Sequence, residues 1–151
     1  IMKLYRELQN GIIIFLAIGI YFLLMEVLGL SDRPYLRVMN LFIVIFGINR
    51  TLKANFKENV NGYFKNLMSG FITAMIGSVL GIIGLMIYIN YKGGEAYLKM
   101  LSSDFLFGGG NPSIPQYCIG LLFESAAASM IICFCLMQYW KTKVEKINKV
   151  D

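Results

Sequence analysis

LMSGFITAMIGSVLGIIGLMIYINY, residues Leu67 to Tyr91, decides the fold. These twenty-five residues carry no charge. Wound as a helix at about 1.5 Å per residue, they exceed the roughly 30 Å hydrocarbon core of a bilayer. The stretch reads as a membrane span. Strands do not compete, because barrels need many alternating segments of about ten residues and these residues do not alternate.

Three further apolar runs surround it. Gly11 to Leu30 is twenty residues with Glu26 as its single charge. Tyr117 to Trp140 again has one charge, Glu124. The run 34–50 is weaker. Pro34 suits a first helical turn and Ser31 or Asp32 can cap it, but Arg37 and Asn40 interrupt the apolar residues. Its length is near the lower limit of about 17 residues for a span. The expected fold is all-α: a four-helix transmembrane bundle in a single domain of 151 residues.

Composition agrees. The chain is 57% hydrophobic and 15% charged, against about 45–50% and about 25% in soluble domains. A soluble chain of this size has too little interior for that much apolar surface, whereas lipid solvates it directly. There is no histidine, which removes the common haem and zinc ligand and the common neutral-pH proton shuttle. Cys118, Cys133 and Cys135 share one apolar segment without a CxxC pair and read as small buried hydrophobes. Gly108 to Gly110 is not a phosphate loop, since no Lys-Ser or Lys-Thr follows it. No catalytic residue, metal site or cofactor is expected. The chain does not read as an enzyme, because no nucleophile and base pair is visible.

The net charge of +5 does not indicate nucleic acid, because the basic residues flank apolar runs rather than forming one patch. Ile1 stands before Met2, so the first residues read as trimmed and carry no weight. Lys3 and Arg6 precede the first run as in a signal peptide. That run is long for such a segment and lacks a small-residue cleavage site, so it reads as retained.

Lys and Arg set the expected orientation. Lys3, Arg6, Arg50, Lys53, Lys57, Lys65, Lys141, Lys143, Lys146 and Lys149 fall on one side, and Arg33, Arg37, Lys92 and Lys99 on the other. The positive-inside rule places the ten in the cytoplasm, with both termini inside. Only four spans give this alternation. Tyr63, Tyr88, Tyr91, Tyr117, Tyr139 and Trp140 then fall near the membrane surfaces.

Two connections carry patterns. In residues 53–65, Phe56, Val60 and Phe64 recur at helical spacing. This is read either as an amphipathic stretch on the inner leaflet, with Lys53, Lys57 and Lys65 against anionic headgroups, or as a plain linker. In the outer loop 92–116, Tyr97, Leu101 and Phe105 share a face and predict a short interfacial helix.

Within the third span, Gly70, Ala74, Gly77, Ser78, Gly81 and Gly84 are small residues at helical spacing, and Gly77 and Gly81 form a GxxxG. Small residues let helix backbones approach closely. The fourth span answers with Ser125, Ala126, Ala127, Ala128 and Ser129, so the third and fourth spans are expected to pack on each other; packing on another protein is the alternative. Arg33, Arg37, Asn40, Gly47 and Thr51 form a polar stripe on the second span, interrupted by Val44. Such a stripe faces a bundle interior or a partner.

Glu124 stands out. With a span beginning at Tyr117 it lies about 10 Å below the outer boundary, with Glu26 about 6 Å and Arg37 about 5 Å inside it. An unpaired charge there costs several kcal/mol. Arg37 is the economical partner for one carboxylate. A protonated carboxyl, an ion site or a contact with a neighbouring subunit are the other readings.

The stretch Tyr63 to Tyr91, YFKNLMSGFITAMIGSVLGIIGLMIYINY, resembles the third span of a family of small uncharacterised bacterial inner-membrane proteins with four helices. The resemblance extends to FGINRTLK, Phe46 to Lys53, and to the acidic fourth span. It implies a multi-pass protein of the bacterial inner (cytoplasmic) membrane, and it lends no functional residues, since the family has no assigned activity. The function expected is a non-catalytic accessory or scaffold subunit of a larger inner-membrane complex, in contact with lipid and with other membrane-protein subunits. The alternative is a small transporter or channel element that uses an intramembrane carboxylate as an ion or proton site.

Overall fold

The structure, a computed structural model, describes residues 4–31, 33–60, 62–101 and 112–142. Every regular element among them is helical: α1 (Leu4–Val27), a 3-10 turn (Pro34–Arg37), α2 (Val38–Lys57), α3 (Tyr63–Tyr91), α4 (Glu95–Leu101) and α5 (Ile114–Tyr139). Four of these stretches are long and apolar enough to cross a membrane: Leu4–Val27, Tyr35–Lys57, Tyr63–Tyr91 and Ile114–Tyr139.

The helices are longer than the apolar runs that predict them. α1 starts seven residues before Gly11, because its polar first turns are engaged: Arg6 pairs with Glu58, and Asn10 bonds to Thr51. α2 runs on to Lys57 rather than stopping at Arg50. Phe56 therefore lies in the core, while Phe64 is exposed near the start of α3. The stretch 53–65 is thus the end of one long helix, a turn and the start of the next, not a separate amphipathic element. The turn is tight. Asn59 and Gly62 both take positive φ, and Asn66 Nδ2 donates to the carbonyls of Val60 and Gly62.

α5 begins at Ile114, ahead of Tyr117. Ser113 caps it: its hydroxyl accepts from the Gln116 amide, and its own amide donates to the Gln116 side chain. This reciprocal pair satisfies two backbone donors that would otherwise be orphaned. α4 is the short helix expected in the outer loop, and it buries Tyr97 and Leu101. Phe105 and Gly108 to Gly110 lie outside the described residues.

α3 is central, packing on α1 along its length, on α5 and on α2. Cross-contacts fix the direction of each helix. Arg6, Asn55, Ser69, Phe56 and Trp140 meet at one end, and Arg37, Tyr117, Tyr88, Tyr97 and Glu26 at the other. α1 and α3 are therefore parallel, and α2 and α5 run opposite to them. The two ends are called here the Arg6 end and the Tyr117 end. One apolar cluster joins α2, α3 and α5 through Ile48, Leu52, Ala74, Cys133 and Met137, and a second gathers Ile89, Tyr97, Leu98 and Tyr117 around α4.

The small residues of α3 divide between two neighbours: Gly70 and Ala74 pack on α5 as expected, whereas Gly77 and Gly84 meet α1. A Cβ on Gly77 would meet Ile14 and the Gly11 carbonyl, and one on Gly84 would meet Phe15, all on α1. Gly70 faces Ile48 of α2 and Cys133 of α5. A Cβ on Gly81 meets nothing within 4 Å. The GxxxG does not mediate the contact with the fourth span: Gly77 looks at α1 and Gly81 at open space. Gly81 falls between the contact of Gly77 with Ile14 and that of Gly84 with Phe15, at a point where no α1 side chain fills the gap. On α5, Ser129 is buried and Ser125 half-buried.

Candidate functional site

At the Tyr117 end the expected ion pair is replaced by two tyrosines. Arg37 closes the 3-10 turn at the mouth of α2, and its Nη2 donates to the Tyr117 hydroxyl at 2.5 Å. Glu26 is the penultimate residue of α1 and accepts a 2.9 Å bond from the Tyr97 hydroxyl. Tyr97 in turn packs edge-on against Tyr88, which packs on Phe22. Burial, then the neighbouring Glu26 carboxylate, pushes the Tyr97 phenol well above its ordinary range. Glu26 and Arg37 are helix-terminal groups held by phenol hydroxyls. Asn40, one turn further along α2, is half-buried with its Oδ1 unpartnered.

Glu124 makes no bond in this cluster, although its charge acts on Tyr117 two turns earlier. It is exposed on the outer surface of α5, and no hydrogen bond or ion pair reaches it among the described residues. The early start of α5 also changes its depth. Ten residues separate it from Ile114 in a helix of 26, so it lies about 15 Å along the axis, near mid-helix. Phe123, Ala127, Ile131, Cys135 and Gln138 are exposed on the same helix. Cys135 is thus a surface thiol, unlike the buried Cys118 and Cys133.

The densest polar site lies at the Arg6 end. The polar stripe of α2 does turn inward there, with Gly47 and Thr51 buried. Asn10 Nδ2 donates to Thr51 Oγ1 at 2.8 Å, the Thr51 and Thr73 hydroxyls lie 3.0 Å apart, and Thr73 donates to the Ser69 carbonyl at 2.9 Å. A parallel path runs from Arg6 Nη1 to Asn55 Oδ1 and from Asn55 Nδ2 to Ser69 Oγ, each at 2.9 Å. Three helices are thereby tied by chains in which each donor has an acceptor. Glu7 and the Oδ1 of Asn66 at the same end stand outside these chains. Glu7 is the charged one of the two. It is 1% exposed and neither carboxylate oxygen has a partner.

Sequence reading missed Glu7 because it precedes the apolar run and looks like a solvated flank. The available signal was the spacing of Glu7, Asn10, Gly11 and Ile14 at i, i+3, i+4 and i+7, which places them on one face. Lys53, Lys57 and Lys65 are exposed at the same end.

Between α1 and α2 an apolar groove of about 290 Å³ is lined by Ala17, Tyr21, Phe42 and Ile43 among others. Its one hydroxyl, that of Tyr21, is committed to the Leu36 carbonyl. No cluster of three or more acidic or Cys side chains able to hold a metal occurs among the described residues. No protein-family model matches the chain, and no curated protein or solved structure matches it either.

Proposed function

We propose that this chain is a non-catalytic accessory or scaffold subunit of a larger complex in the bacterial inner membrane, with both termini cytoplasmic. The observation that carries this reading is Glu124, an exposed carboxylate near the middle of a membrane-length helix, without a hydrogen-bond or ion-pair partner among the described residues. A charge in hydrocarbon costs several kcal/mol, so intramembrane carboxylates face a partner or a polar cavity. The described residues supply neither at that position. A neighbouring transmembrane helix that offers a basic or amide donor at the same depth supplies both cover and charge complement.

Glu124, Ala127, Ile131 and Gln138 lie at i, i+3, i+7 and i+14, so a helical seam runs along the exposed face of α5. Ala127 lets a partner backbone come close. Arg6, Arg50, Lys53, Lys57, Lys65 and Lys141 gather at the Arg6 end, which supports its cytoplasmic placement. The membership of a four-helix inner-membrane family and the assembly as a four-helix bundle belong to the same proposal.

Mild-detergent purification tests it. The chain should emerge with another membrane polypeptide at fixed ratio, and Glu124→Leu should separate the two while leaving the chain folded. Isolation as a monomer of 17.1 kDa from untreated membranes would argue against a subunit role. A homodimer seated on α5 would replace the foreign partner with a second copy. The alternative is a transporter or channel element that uses Glu124 as an ion or proton site; among the described residues Glu124 is exposed rather than enclosed between helices.

A further inference from the structure

A buried carboxylate with two unused oxygens is an unusual element beside chains of paired side chains. Glu7 is 1% exposed, and neither Oε1 nor Oε2 has a hydrogen-bond partner. Arg6, its neighbour in sequence, does not neutralise it: that guanidinium is held by Glu58 and Asn55. A second orphan acceptor lies at the same end. Asn66 is 1% exposed and its Oδ1 has no donor. The orientation of this amide is fixed by chemistry. Nδ2 donates to two carbonyls, Val60 at 3.0 Å and Gly62 at 2.9 Å, so a flip would set oxygen against oxygen.

Helix register brings the two together. A Cβ on Gly11 would lie 3.0 Å from the Thr73 carbonyl, and one on Gly77 would lie 3.1 Å from the Gly11 carbonyl. α1 therefore meets α3 with Gly11 level with Thr73 to Gly77. One turn earlier, Glu7 is level with Ser69. Helical side chains lean toward the N-terminus of their helix. The two helices are parallel, so both side chains lean the same way and the offset between Glu7, level with Ser69, and Asn66 stays at three residues, about 4.5 Å along the axis. Asn66, Ser69, Thr73 and Gly77 form one stripe on α3, the stripe that packs on α1 and α2.

We propose that Glu7 and Asn66 are ligands of a monovalent alkali-metal cation held between α1 and α3 at the Arg6 end. The donor set is hard, all oxygen, and contains one carboxylate, so a single positive charge balances it. Divalent ions favour more carboxylates than this. A proton is the competing occupant: it would turn one Glu7 oxygen into a donor that Asn66 Oδ1 can accept, and melting in different alkali chlorides separates the two. A metal cation draws together acceptors that cannot bond to each other. The exposed Arg6–Glu58 pair at the rim marks the end from which water and ions reach the site. The inference is independent of the α5 seam, which lies on another helix.

The test uses the full chain in detergent, melted in choline, lithium, sodium or potassium chloride at equal ionic strength and at neutral pH. One alkali cation should raise the melting temperature by several degrees, saturably, as ligand linkage requires. The shift should vanish in Glu7→Gln and shrink in Asn66→Ala, and should persist in Glu124→Gln. Should Glu7→Gln not fold, binding of radioactive sodium to the unmodified chain, competed by lithium or potassium, reads the site directly. Equal melting temperatures in all four chlorides would overturn the proposal. So would a shift retained in Glu7→Gln, or stabilisation by acid alone, which would make Glu7 a proton site.

Discussion

Gly11 and Gly77 face each other across the α1–α3 contact: a Cβ on Gly77 would lie 3.1 Å from the Gly11 carbonyl oxygen and 2.7 Å from Cγ2 of Ile14. Ile14 also fills the space beside Gly47 of α2, so its side chain is a knob seated between two glycines. Lipid is as apolar as isoleucine, and close packing rather than the hydrophobic effect holds such a contact.

Gly77→Ala should therefore destabilise the protein by about 1–3 kcal/mol, the usual cost of overpacking a tight contact, and Gly77→Leu by more. Gly81→Leu should have little effect, because nothing lies within 4 Å of that Cβ. Thermal unfolding in one detergent, with both variants beside the parent, checks the contrast. Equal losses at the two glycines would mean that α1 and α3 do not meet as described.

The Asn10–Thr51–Thr73 chain makes a second prediction. Thr51→Val removes the acceptor of Asn10 and a neighbour of Thr73 at once. Interhelical hydrogen bonds in membrane proteins are worth about 0.6 kcal/mol on average and up to about 1.7, so the loss should be near the upper value. The double variant Asn10→Leu with Thr51→Val should lose less than the sum of the single losses, and simple additivity would show that the two side chains do not interact.

Arg37 and Tyr117 should be coupled where Arg37 and Glu124 are not. A hydrogen bond to a charged group contributes about 1.5–3 kcal/mol. A double-mutant cycle with Arg37→Gln and Tyr117→Phe should return part of that as interaction energy. The same cycle with Arg37→Gln and Glu124→Gln should come out additive. A strong Arg37–Glu124 coupling would restore the ion pair that sequence alone suggests.

Tyr97 supplies a pH dependence. Its folded pKa is raised by burial and then by Glu26. A raised folded pKa means that the unfolded chain loses its proton first, so the contribution is whole below about pH 10, the ordinary tyrosine value, and falls above it. Tyr97→Phe should be less stable than the parent at neutral pH by about 1 kcal/mol, for the lost bond to Glu26. Its stability should fall less steeply above about pH 10. Parallel curves across that range would show that Tyr97 is not buried against Glu26.

The four apolar helices were legible because length and hydropathy are local properties: Leu67 to Tyr91 needs no neighbour to be read. Helix ends were not. The start of α1 at Leu4 and the end of α2 at Lys57 depend on partners for Arg6, Asn10 and Phe56 that sit on other helices. Partner choice was equally hidden. Charge and depth suggested Arg37 with Glu124, yet Tyr117, two turns earlier on the same side of α5, is the residue that Arg37 reaches, and Glu124 stays exposed. Glu7 shows the converse: a charged residue outside an apolar run reads as solvated, and only the packed helices reveal that it is enclosed.

The seam on α5 is the centre of the account, and crosslinking in native membranes reaches it most directly. A photoreactive benzoylphenylalanine at Ala127, three residues from Glu124, should give one discrete adduct with another membrane polypeptide. Glu124→Leu should abolish that adduct, and the same probe at Leu24, exposed on α1, should give none. An unchanged adduct in Glu124→Leu, or reaction at Ala127 with lipid only, would contradict the account.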